Sequence, residues 1–217
     1  MQNVKTSALK TLRSGFFYLF VAMIILIVVA EFGPTIIIYV SNSPVGIMGM
    51  IIILTLLLLT IIVIFLYAIF GKIRPGMRQL SEVDSRFRIC YTGTTLILVG
   101  LAILALRTVV VVALSVEYTV SSSLVLAVGV LYVGEIIAFI GYVLTFVVGA
   151  FKLHGKYRNP LYMTTGILFV LSIFLTFTGL LGLDAVTTLV GLGITAVGYV
   201  LMYIALGGTI KKLNTQS

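Results

Sequence analysis

Residues 45–70 read VGIMGMIIILTLLLLTIIVIFLYAIF, without a single charged side chain and with only Thr55 and Thr60 polar before Tyr67. A helix over this stretch outruns the roughly 30 Å hydrocarbon core of a bilayer. Its apolar residues are continuous and do not alternate with polar ones, which excludes the short alternating strands of a membrane barrel. In lipid every backbone amide needs an internal partner, so this segment must be a spanning helix.

The rest of the chain repeats the pattern. Of 217 residues, 61% are hydrophobic and only 9% charged, and the mean hydropathy is +1.27. A soluble domain carries about a quarter charged residues, so a water-soluble enzyme is excluded. Windows of about 20 residues give six spans, 15–38, 45–70, 90–115, 124–151, 161–183 and 185–210, in a single transmembrane domain covering 1–217. Connections are brief except for two basic cytoplasmic loops, 71–89 and 152–160. Short connections make neighbours antiparallel, so the fold class is all-α, a polytopic membrane protein of three antiparallel hairpins.

Charge sorts onto two sides. Thirteen of the fourteen basic residues fall at the ends that share a side with both termini, accompanied only by Glu82 and Asp84. The opposite ends receive Glu31, Glu117 and Asp184. Basic residues accumulate in the cytosol, so both termini are expected there and the protein is expected to be a multi-pass protein of the cell membrane. Lys5, Lys10 and Arg13 ahead of Phe16 to Ala30 also have the form of a secretory signal. Apolar character resumes at Ile36-Ile37-Ile38 beyond Gly33-Pro34, as in a kinked spanning helix. A faint internal repeat at an offset of 78 pairs Gly15 with Gly93, Gly71 with Gly149 and Arg74 with Lys152.

Two charges fall inside spans. Arg107 can snorkel to the outer headgroups, meet an anion or substrate, or pair with Glu135. Glu135 lies near the expected midplane, where an unpaired carboxylate costs about 2.5–3.5 kcal/mol, so it should pair, be protonated and packed, or serve a transport or proton site. Tyr132, Glu135, Phe139 and Tyr142 share a helix face, and tyrosine hydroxyls there could satisfy the carboxyl. Glu31 before Gly33-Pro34 is a candidate outer ion contact or an ordinary helix end. Small residues form packing stripes: Gly93 and Gly100 on the third span; Gly134, Ala138, Gly141 and Thr145 on the fourth; Thr165, Ser172, Thr176 and Gly179 on the fifth; Thr187, Gly191, Thr195 and Gly198 on the sixth. Segment 76–89 reads as a short interfacial amphipathic helix carrying Arg78, Arg86 and Arg88, whose natural counterpart is an anionic membrane surface, with no nucleic acid.

The single Cys90 and single His154 offer no metal cluster, and His154 reads as a solvated loop residue. No G-x-S-x-G, H-E-x-x-H or phosphate-loop motif occurs, so no enzyme, cofactor or metal is expected. The remaining function classes are two. A non-enzymatic protein acting by lateral association, as a structural, scaffolding or accessory subunit, would have membrane lipids and either further copies or other membrane proteins as partners. A small transporter or channel would use Glu135 and Arg107.

Leu9-Lys10-Thr11-Leu12-Arg13-Ser14-Gly15-Phe16, Leu80-Ser81-Glu82-Val83-Asp84-Ser85-Arg86-Phe87 and Tyr91-Thr92-Gly93-Thr94 with Gly100 resemble a family of uncharacterised archaeal integral membrane proteins, along most of the chain. The resemblance implies an archaeal, thermophilic host and a several-helix membrane domain. It transfers no activity and no site residue.

Overall fold

The computed structural model describes residues 2–40, 44–116, 123–182 and 184–215, with side chains described over 4–33, 49–50, 52–106, 133–182 and 184–215. It is all-helical over these residues. In chain order the elements are α1 (Gln2–Val40), α2 (Pro44–Leu66), α3 (Arg74–Val83), α4 (Arg88–Val116), α5 (Ser123–Tyr142), α6 (Val148–Tyr157), α7 (Pro160–Gly182) and α8 (Ala185–Thr215). A π-helical turn, Tyr67–Ile73, joins α2 to α3, a second, Val143–Val147, joins α5 to α6, and a 3-10 turn, Ser85–Phe87, leads into α4.

Six helices among the described residues are long and apolar enough to cross a membrane: Val4–Gly33, Ile52–Val83, Ser85–Leu106, Val133–Tyr157, Pro160–Gly182 and Ala185–Thr215. The basic connections are shorter than the sequence suggests. Residues 71–83 continue the second span through its π turn, and 152–157 are the end of α6, so both segments expected as loops are largely helical. The amphipathic stretch is not one helix: it breaks at Asp84, between α3 and the 3-10 turn that leads into α4. Its apolar face, Met77 and Leu80, is buried in the protein, and Gly76 sits against Leu12 and Ala8 of α1, so that face is turned to the protein and is not free to enter lipid. His154 belongs to α6, where its Nδ1 lies 3.0 Å from the Asn159 carbonyl oxygen.

Packing is organised by pairs. α4 lies along α5, α7 along α8, α1 along α8 and α2 along α1. The second π turn reaches both α4 and α7, whereas α5 itself packs on α4 and, among the described residues, has no comparable packing on α7 or α8. The core is aromatic where α1, α7, α8 and the second π turn converge. Phe146 meets Phe16 at 5.9 Å, Phe169 at 5.9 Å and Tyr199 at 5.7 Å between ring centroids, at steep interplanar angles that suit ring quadrupoles. The wide turn at Val143–Val147 places Thr145, Phe146 and Val147 all in buried positions.

Small residues set the closest approaches. A Cβ added at Gly100 would lie 2.6 Å from the Ala138 nitrogen and 2.6 Å from the Gly134 oxygen. One at Gly141 would lie 2.5 Å from the Ile97 nitrogen and 2.6 Å from the Gly93 oxygen. The same holds between α7 and α8, where a Cβ at Gly191 would come within 2.7 Å of the Thr176 nitrogen, and one at Gly179 within 2.5 Å of the Thr188 nitrogen. Backbone contacts of this kind are how helices gain dispersion energy in lipid, where no hydrophobic effect pulls them together.

Candidate functional site

Three places concentrate polar chemistry. The first is the α4–α5 crossing. Gly134 and Gly141 are buried there and Ala138 is half-buried, with Gly93 and Gly100 opposite. Glu135, one residue beyond Gly134, is turned away from this seam and is exposed, among Val133, Ile136 and Phe139, which are exposed too. Arg107 continues the α4 backbone two turns, about 10 Å, beyond Gly100, and its side chain lies outside the described residues, as does that of Tyr132. Glu31 is exposed on α1.

The second place is a cavity of about 310 Å³ within the spans, where α5 diverges from α7 and α8. Phe65, Phe139, Phe177, Tyr142, Ser172, Thr195 and Tyr199 are among the residues that line it, and the surface they present is almost wholly apolar. Tyr142 shares this lining with Tyr199, Ser172 and Thr195, and its ring lies 6.2 Å between centroids from that of Phe169 on α7. Ser172 and Thr195 donate to their own helices, to the Phe169 carbonyl at 2.9 Å and the Gly191 carbonyl at 3.0 Å. Tyr142 is therefore set against α7 and α8, and among the described residues no hydrogen bond joins it to the exposed Glu135, contrary to the shared-face expectation. Gly191 and Gly198 are buried close by, against Thr176 and Phe169.

The third place is the basic end. At the break between α3 and α4, where Asp84 leaves helical backbone (φ −147°, ψ 108°), its carboxylate accepts from Arg86 Nε and the Arg86 backbone N–H, both at 3.1 Å, and from Lys156 Nζ at 2.8 Å. The Arg86 and Lys156 hydrogen bonds hold the Asp84 carboxyl well below the usual carboxylate range. Lys156 lies 5.1 Å from the Phe87 ring centroid, Arg13 lies 4.2 Å from that of Tyr203, and Arg74 lies 5.6 Å from that of Tyr91, so the cations rest on aromatic faces. α6 then ends at Arg158, whose backbone is left-handed (φ 49°, ψ 34°) and whose N–H donates to the His154 carbonyl at 2.8 Å. Asn159 caps α7, accepting from the Leu161 N–H at 3.1 Å. Between these residues and α8 lies a cleft of about 560 Å³.

At the opposite ends, Asp184 is exposed and caps α8, accepting from the Val186 N–H at 3.1 Å and from the Thr187 hydroxyl. The Thr187 hydrogen bond lowers the Asp184 carboxyl pKa. Glu117 lies outside the described residues. Among the described residues no group of three or more His, Cys, Asp or Glu side chains comes together.

Sequence reasoning missed the Asp84–Lys156 pair and the cleft, because their residues are far apart in the chain. For the cavity within the spans a signal existed: Ser172 and Thr195 are prominent in the small-residue stripes. A family model described as "Protein of unknown function (DUF973)" matches residues 5–217, and the chain belongs to that family. No curated protein and no solved structure matches it.

Proposed function

We propose that this member of a family of unknown function is a non-enzymatic, multi-pass protein of the cell membrane, in an archaeal host, that acts by lateral association as a structural, scaffolding or accessory subunit. Its six spans form three antiparallel hairpins with both termini in the cytosol. That orientation is supported by the sidedness of its basic residues.

The observation that carries the reading is the state of α2. It packs on α1, and Ile52, Ile53, Leu56, Leu58, Leu59, Ile62 and Val63 are all exposed, with Ile61 buried between them. Gly49 at its start has no atom within 4 Å of where a Cβ would be, which leaves room for another backbone to approach. The exposed Glu135 on α5 adds a second outward-facing group that a neighbouring donor would stabilise in hydrocarbon.

Single cysteines at Ile53, Leu56, Leu59 and Val63, in a Cys90→Ala background, are expected to give disulfide-linked species in native membranes at helical spacing, some positions linking strongly and those a half-turn away weakly. Uniformly absent linking, together with a monomeric mass in mild detergent, would sink the reading.

The transport reading is favoured by one observation, a cavity among the spans whose lining residues include Tyr142, Ser172, Thr195 and Tyr199. Phe139 is in its lining, one turn from Glu135, and Glu135 is not among the residues that form it. On the lateral-association reading, liposomes holding the protein are expected to pass protons and alkali cations no faster than empty ones. Flux that appears and then vanishes in both Glu135→Gln and Tyr142→Phe would replace association with transport.

A further inference from the structure

We propose that the cleft at the basic end is a binding site for a phosphate group, held chiefly by Arg158 and Lys212 with Lys5. The proposal is independent of the lateral-association reading. The cleft is walled by the start of α1, the end of α6, the start of α7 and the last turns of α8, and its residues include Lys5, Lys156, Arg158 and Lys212 with no carboxylate among them. Only Lys156 is spoken for, by Asp84 at 2.8 Å. Lys5, Arg158 and Lys212 form no ion pair among the described residues. Three such cations around one hollow repel one another, and an anion in that hollow would turn the repulsion into attraction.

Arg158 is the second argument. A helix that ends in a left-handed residue ordinarily has Gly there, because a Cβ is strained in that conformation. Among the described residues Arg158 is the one non-glycine with positive φ. Strain of this kind persists where the side chain is needed in its place, and a guanidinium is the side chain best matched to two phosphate oxygens at once. Tyr157 also lines the cleft, and its hydroxyl is buried without a hydrogen-bond partner. The start of α7 contributes little, since Pro160 has no N–H and that of Leu161 is taken by Asn159.

About 560 Å³ accommodates a phosphorylated headgroup or a small soluble phosphate. The cleft lies where four of the apolar spans begin or end, and the ends of spanning helices are where headgroups are met. Both sources share the chemistry, and the test separates them. The full chain in nanodiscs would be assayed for enrichment of phosphatidylglycerol over phosphatidylcholine by native mass spectrometry, and in neutral detergent for inorganic pyrophosphate binding by calorimetry. Saturable binding of at least one probe is expected, with lipid enrichment alone identifying a headgroup and pyrophosphate alone a soluble ligand.

Arg158→Gly relieves the backbone strain, so its thermal midpoint should equal or exceed that of the native chain while affinity falls about tenfold or more. Lys212→Gln should also weaken binding, Arg158→Lys should retain part of it, and Lys10→Gln and Lys211→Gln, outside the cleft, should stay within about twofold. The proposal is overturned if neither probe binds, if Arg158→Gly binds like the native chain, or if the two outside lysines matter as much as Arg158, which would mean diffuse attraction to a basic surface.

Discussion

Gly141→Leu should prevent α4 and α5 from assembling, giving a chain that inserts but aggregates or unfolds on extraction, with a stability loss of at least about 3 kcal/mol. The first atom of any side chain there falls 2.5 Å from the Ile97 nitrogen and 2.6 Å from the Gly93 oxygen, well inside the roughly 3.5 Å at which such atoms attract. Both obstacles are backbone, so no rotamer change clears them and the two helices must part along their length. Even Gly141→Ala should lower the thermal midpoint clearly. Gly193→Ala is the internal control: nothing lies within 4 Å of its Cβ, and alanine is the better helix former by about 1 kcal/mol, so it should be neutral or stabilising. Thermal unfolding of the three variants in one detergent checks the contrast, and equal effects at the two positions would contradict the helix separation described above.

Asp84→Ala should cost about 2–3 kcal/mol and loosen the end of α6 against the α3–α4 break. The side chains of Asp84 and Lys156 are only 14% and 15% exposed, so removal of the carboxylate leaves a largely buried ammonium without its acceptor and frees the Arg86 N–H. The partial exposure keeps the figure below that for a fully buried pair. Much of the loss should be shared with Lys156→Ala, so a double-mutant cycle should return a favourable coupling of about 1 kcal/mol or more. Acid provides an independent check. The folded carboxyl lies below its unfolded value near 3.9, so its contribution is complete above that pH and is lost as pH falls from there through the folded value. The native midpoint should therefore drop on acidification below about pH 4 more steeply than that of Asp84→Asn. Parallel profiles would remove Asp84 from the account.

The six spans were readable because an apolar run such as 45–70 has no alternative fate in lipid, and that inference needs no knowledge of neighbours. The small-residue stripes were readable for a related reason: Gly93 with Gly100, and Gly134 with Gly141, recur at a spacing that keeps them on one helix face. Which stripe meets which was not readable, since that depends on tertiary pairing. The extents of the connections were misjudged because Arg and Lys end a hydropathy window without ending a helix, and the helix continues to Val83 and to Tyr157. Asp84 and Lys156 are 72 residues apart, and side alone cannot pair charges. Arg158 gave no hint of its left-handed backbone, because arginine has no preference for it; Asn159-Pro160 marks only that a helix stops nearby. Tyr142 and Glu135 do lie seven residues apart on α5, but Tyr142 is at the level where α7 and α8 come alongside whereas Glu135 is exposed, and periodicity within one helix does not tell where its neighbours draw near.

Those two widened turns also govern how the fold tolerates a change in chain length. Each carries a residue more than an α-helix would use to cover the same distance, so dropping one residue from Tyr67–Ile73 or Val143–Val147 can tighten the turn and return the following helix to its former phase. α8 has no such slack. A one-residue deletion near Gly193 would swing Tyr199, Met202 and Leu206 about 100° around the axis, out of the interior and into lipid. The second and fourth spans can therefore lose a residue in evolution where the last cannot, and deletions among related chains should collect at those turns.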